Sequence, residues 1–214
     1  VGCWADGARH AGTMDQYEMS AAGAAVPPSR ASPAAPPAAD AAAFSSSWPA
    51  EVAAALARNR QQAYTADRAA SRPGTYCRNL LFADKKQRLY LVIAPEARRV
   101  NTTELRKVRA LGVARCLTLA DAATLAAVLG AAPGAVSPLQ LLTGAGVDRI
   151  AAVVVDASLA ALPPDADIWV HPPHDATRAV ALPPAALRAL LAAAAPPCLE
   201  LDVADPTRND EEKK

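Results

Sequence analysis

Two β-rich segments, residues 75–83 and 88–94, are joined by only Asp84-Lys85-Lys86-Gln87, and this pair restricts the fold more than anything else in the chain. A short polar linker between runs rich in Leu, Phe, Tyr, Val and Ile closes an antiparallel hairpin. A two-stranded hairpin is marginal by itself in water, so this one needs further strands and a covering layer. The rest of the sequence supplies both. Helices are expected over 48–59 (with Ser47 as N-cap), 102–111 (stopped at Gly112), 121–129 (ended by Gly130), 139–142 and 184–195 (opened by Pro183-Pro184). Strands are expected over 115–119, 148–155, 168–171, 178–182 and 199–203, with a short edge strand over 60–65. Hairpins mixed with crossovers predict an α/β fold, a mixed, largely antiparallel sheet flanked by helices.

Composition limits how that sheet is buried. Of the 214 residues 52% are hydrophobic, but aromatics make up only 4%, and much of the remainder is alanine, so the core is modest. Residues 1–47 hold an Ala/Pro/Ser stretch that cannot build a core and is expected to be disordered unless bound. Residues 48–203 are the predicted domain, and 204–214 form a polar, charged tail. No long run of large apolar side chains predicts a membrane span. The cysteines Cys3, Cys77, Cys116 and Cys198 are scattered, with no metal-ligand spacing. That pattern fits a reducing compartment, the cytoplasm or an organelle such as the mitochondrion, and not secretion.

The net charge of +1 hides a division. Residues 76–115 carry ten Lys and Arg side chains against three acids, and residues 116–214 carry six against twelve. A basic stretch of this kind suits a phosphate backbone.

Four motifs then fall in one order. Arg78-Asn79-Leu80-Leu81-Phe82 runs into Asp84-Lys85-Lys86; Arg88-Leu89-Tyr90-Leu91-Val92 returns; Pro133-Gly134-Ala135-Val136-Ser137-Pro138 forms a GxxxP loop; and Ile168-Trp169-Val170-His171-Pro172 ends a strand. Together they resemble the prolyl-tRNA synthetase-associated (YbaK-type) editing domain, whose members hydrolyse mischarged aminoacyl-tRNA. The resemblance implies a trans-acting deacylase that binds a tRNA acceptor end, with alanine on proline tRNA as the substrate, and neither cofactor nor metal. It implies catalytic roles for Gly134, Ala135, Ser137 and His171, and substrate contacts from Arg78, Asn79, Val136 and Pro138. Lys85, Lys86, Arg88, Arg98 and Arg99 are the expected RNA-binding cations.

Arg78 stands where the family motif carries lysine, and Arg60-Gln61-Gln62 replaces its His-Pro. A planar five-donor guanidinium is not equivalent to a compact ammonium. These departures give the alternative expectation: a catalytically lapsed editing fold, kept as a structural or RNA-binding subunit of a large assembly such as an organellar ribosome, held through residues 1–47.

Overall fold

A computed structural model describes residues 48–58, 62–63, 73–173, 175 and 177–204. The expected extension over 1–47, with the Ser47 cap, and all but the first residue of the expected tail lie outside the described residues.

The elements in chain order are α1 (Ala50–Arg58), β1 (Gln62–Ala63), β2 (Thr75–Ala83), β3 (Leu89–Pro95), α2 (Thr102–Leu105), β4 (Thr118–Leu119), α3 (Ala122–Leu129), β5 (Ile150–Asp156), α4 (Ala157–Ala160), β6 (Ile168–Val170), β7 (Arg178–Leu182), α5 (Pro184–Ala193) and β8 (Cys198–Leu201). Short 3-10 turns occupy Arg109–Leu111, Pro138–Leu141 and Val147–Arg149. Among the described residues the strands form one sheet in the order β1-β7-β6-β2-β3-β5-β8, with β4 added beside β2. Pairings β1/β7, β7/β6, β2/β3 and β2/β4 are antiparallel; β2/β6, β3/β5 and β5/β8 are parallel. The sheet is mixed and largely antiparallel, as expected.

Strand β3 lies at the centre and is buried along its whole length. Its side chains alternate between two cores, as the two-residue repeat of a strand requires. Leu89, Leu91 and Ile93 join Val153, Val155, Leu129 and Leu139 on one face. Tyr90, Val92 and Ala94 join Phe82, Val154, Leu105, Val108 and Leu111 on the other. On the first face α1 packs against α5 and β7.

Two buried carboxylates pin the connections. Asp84 accepts from the N–H of Lys86 (2.7 Å), Arg88 (3.0 Å) and Ala114 (3.0 Å), from Arg88 Nε (2.9 Å) and from the Tyr90 hydroxyl (3.3 Å). Asp156 caps α4 through Ser158 N–H (2.9 Å) and binds Arg98 Nη1 (3.2 Å) and Val203 N–H (3.2 Å). Neither hub is anticipated from the sequence, where Asp84 reads only as a turn residue.

Several expected elements differ: the helix over 139–142 is a single 3-10 turn, Pro138–Leu141, and the strand over 148–155 begins only at Ile150, after the 3-10 turn Val147–Arg149. The helix over 102–111 is one α-turn followed by a 3-10 turn, because Leu105, Val108 and Leu111 must all face the second core. A spacing of three keeps one face in a three-residue turn, but drifts around an α-helix. The strand over 115–119 shrinks to Thr118–Leu119, because Arg115 has φ +69°, outside the extended region.

Candidate active site

The sheet is split, and the split makes the cleft. Strand β2 pairs with β6 only at Thr75 and Tyr76, and with β4 only at Phe82 and Ala83. Between these points the β6-side edge of β2 meets no strand among the described residues. Local sequence explains the parting: β6 runs directly into His171-Pro172-Pro173, and proline has no N–H with which to extend a ladder.

A cleft of about 360 Å³ occupies this gap. Its walls are Tyr76, Cys77, Arg78, Asn79 and Leu80 from β2, Glu96 beyond β3, Gly134 and Val136 from the loop after α3, Trp169, Val170 and His171 at the end of β6, and Ala179 of β7. The volume lies in the range of small-ligand sites. Strands distant in sequence thus bring Arg78, Asn79, Gly134, Val136 and His171 to one place. Ala135, Ser137 and Pro138 lie behind the cleft wall, buried.

The loop 133–138 is held rigidly from three sides. Asn79 Nδ2 donates to Val136 O at 3.0 Å. The Ser137 hydroxyl donates to His171 O at 2.5 Å and accepts from Leu139 N–H at 3.3 Å, so it serves as a clasp between the loop and β6. Gln140, fully buried, accepts from Ser137 N–H (2.9 Å) through Oε1 and donates to Ala135 O (3.3 Å) through Nε2. Ser137-x-x-Gln140 with Pro138 between them is a capping box, and that spacing is the signal by which Gln140 could have been found in the sequence. Gly134 sits at φ +84°, where an L side chain is strained, and its Cα faces open space.

Such holding leaves specific polar groups unused. Ala135 N–H is bound to Ala132 O and Ser137 N–H to Gln140, but the N–H groups of Gly134 and Val136 have no partner among the described residues. Asn79 Oδ1 is buried, likewise without a partner among the described residues. Leaving a buried acceptor unmade costs about 1–3 kcal/mol, so such a group is usually satisfied by a ligand or is tolerated for function.

Arg78, although exposed, is not loose: its Nη2 donates to Glu96 O at 2.8 Å, which fixes a cation at the cleft wall. His171 Nδ1 lies 2.8 Å from Arg178 O. A carbonyl oxygen can only accept, so Nδ1 carries a proton. Tyr76 and Trp169 stack with centroids 5.8 Å apart, and Trp169 Nε1 donates to Pro73 O at 3.1 Å. Cys77 is the cleft's one obvious nucleophile by residue type. Burial, reinforced by the Asp156 carboxylate, pushes its thiol up to about 12, so it stays protonated and unreactive near neutrality.

The expected RNA-binding cations divide. Arg88 is paired with Asp84 at 2.8 Å and also donates to Gly112 O; Arg98 bridges Asp156 (3.2 Å) and Asp202 (2.5 Å). Both hold the fold. Lys85, Lys86 and Arg99 are exposed. Among the described residues no group of three or more His, Cys, Asp or Glu is placed to hold a metal ion, and no helix is long and apolar enough to cross a membrane.

Similar solved structures include a protein described as a candidate trans-editing enzyme for prolyl tRNA synthetase, 19% identical with a TM-score of 0.49, covering 70% of this chain and 93% of that one. A scaffold from the computational grafting of linear epitopes is 20% identical with a TM-score of 0.49, covering 71% and 94% respectively. No curated protein matches the sequence. The model of the aminoacyl-tRNA editing domain matches residues 59–190, a span that includes every wall of the cleft. With more than half of its length matched, the chain belongs to the aminoacyl-tRNA editing domain family, the YbaK-type domain that its motifs resemble.

Proposed function

We propose that the cleft hydrolyses the ester between a wrongly attached amino acid and the 3′ end of a tRNA, with alanine on proline tRNA as the substrate. The observation that carries this reading is the pair of unused amides, Gly134 N–H and Val136 N–H, on a loop locked by Asn79, Ser137 and Gln140 beside the cleft. Water attacks the ester carbonyl carbon, and negative charge grows on the carbonyl oxygen. Fixed donors aimed at that oxygen are each worth about 2.7–4 kcal/mol in the transition state. The tetrahedral intermediate then expels the ribose oxygen, which takes up a proton.

The other groups fall into supporting roles. His171, at the cleft wall, offers a hydrogen bond to the terminal ribose, and Asn79 Oδ1 offers an acceptor. Arg78, anchored on Glu96 O, meets the terminal phosphate. A small cleft favours a small amino acid, because a larger side chain has to displace the walls. The test is release of alanine from alanyl-tRNA(Pro) by the purified chain; release no faster than the uncatalysed rate would reject the reading.

A second reading has its own observation. Arg78 replaces the lysine of the family motif, and its guanidinium is tied to the backbone at the cleft wall. A cation held in this way suits phosphate binding without turnover, as in a lapsed editing fold retained in a larger assembly. Arg78→Lys separates the two: a lapsed site gains hydrolysis from nothing, whereas a working site changes by about tenfold or less.

A further inference from the structure

The hairpin turn is fastened to the loop after α2, and the fastening gathers charge. Ala114 N–H donates to Asp84 Oδ2 (3.0 Å), Lys85 N–H donates to Ala114 O (3.3 Å), and Arg88 donates to Gly112 O. Around this knot Lys85, Lys86, Arg109 and Arg115 are all exposed. No hydrogen bond or ion pair among the described residues engages their side chains. The nearby carboxylates are committed: Asp84 to Arg88, Glu104 to Lys107 (2.7 Å), and Asp121 to the cap of α3. Arg115 holds φ +69°, a conformation that costs a non-glycine residue energy and is retained mainly where a site requires it.

We infer that these four side chains form a docking surface for the phosphate backbone of an RNA duplex, distinct from the cleft that takes the 3′ end. The inference rests on the proposed function and extends it. Strand β2 acts as the ruler: from Arg78 at the cleft to its last residue, Ala83, is about 17 Å at roughly 3.3 Å per residue, and Lys85 lies in the turn just beyond. A single-stranded 3′ end lying in the cleft can therefore lead into a duplex whose phosphates reach the turn. Arg88 and Arg98 have no part in this surface, since both are spent on buried carboxylates.

The test is binding of an RNA minihelix with a single-stranded CCA end to the full chain, titrated across salt concentration. Each phosphate contact contributes about 0.7–0.9 to the slope of log affinity against log salt. Combining Lys85→Gln, Lys86→Gln, Arg109→Gln and Arg115→Gly should lower that slope by about 3 and weaken binding at least tenfold at low salt. Glycine at 115 removes the charge while relieving the backbone. A single-stranded CCA oligonucleotide should bind the variant and the unmodified chain alike. An unchanged slope, an equal loss for the oligonucleotide, or a preference for polyglutamate over the minihelix would each overturn the inference. Because no turnover is measured, failure of hydrolysis and failure of this surface are told apart.

Discussion

Asn79 carries more of the account than any other side chain, because one amide joins the split sheet to the loop. Its Nδ2 fixes Val136 O, and its Oδ1 is buried at the cleft wall. Asn79→Ala should cost about 1 kcal/mol of stability and lower alanine release at least tenfold. Denaturant midpoints and single-turnover rates measure the two separately, and full activity on a destabilised loop would contradict the role. Asp84 gives a second outcome. Burial raises its pKa, but the N–H groups of Ala114 and Arg88, the Arg88 side chain and Lys86 N–H outweigh that and hold it at about 2. The folded value lies below the ordinary 3.8, so the stabilisation is present above about pH 4 and is lost as pH falls toward 2. Melting temperature followed from pH 5 to 2 should show this loss, and Asp84→Asn should flatten it. At this scale the sequence was readable to the extent that Arg78, Asn79 and His171, singled out by motif, meet at the wall of one cleft. Gln140 was missed although Ser137-x-x-Gln140 has capping-box spacing, and Asp84 stayed hidden as a hub because the Ala114 N–H it holds, thirty residues on, has no signature in the sequence.

Elements were legible wherever the pattern was local. The hairpin and the antiparallel strand β7 stand where alternation and turn residues placed them, and α3 begins at the Asp121 cap and ends at Gly130. What failed was decided by partners far along the chain: α2 broke after one turn to keep Leu105, Val108 and Leu111 on one core, and α4 starts at the cap Asp156, whose carboxylate is also held by Arg98 and Val203 N–H. The turn that carries the chain from the loop 133–138 back toward β5 shows the same dependence. A Cβ on Gly144 would stand 2.7 Å from Val128 O and 2.9 Å from Gln140 O, both backbone. Gly144→Ala should therefore destabilise by about 1–3 kcal/mol, a shift of the urea midpoint without a change of slope. An unaltered midpoint would mean that this turn yields more easily than its packing implies.

For the molecule as a whole, the cleft is a property of topology. It exists because β2 is shared between a short parallel partner on one side of a gap and a two-residue antiparallel partner on the other. No single motif contains that information, although the order of the four motifs pointed to the family that has it. The most direct measurement is the rate of alanine release from alanyl-tRNA(Pro), compared with release in the presence of Gly134→Ala. A Cβ there meets no packing atom, so the fold should survive, but at φ +84° the methyl strains the loop that the proposed function makes the source of the oxyanion donors. Release well above the uncatalysed rate is expected from the unmodified chain, with a fall of about 10–100-fold in the variant, as for misplaced donors. Equal rates in the two proteins would contradict the assignment of the loop 133–138 as the seat of catalysis.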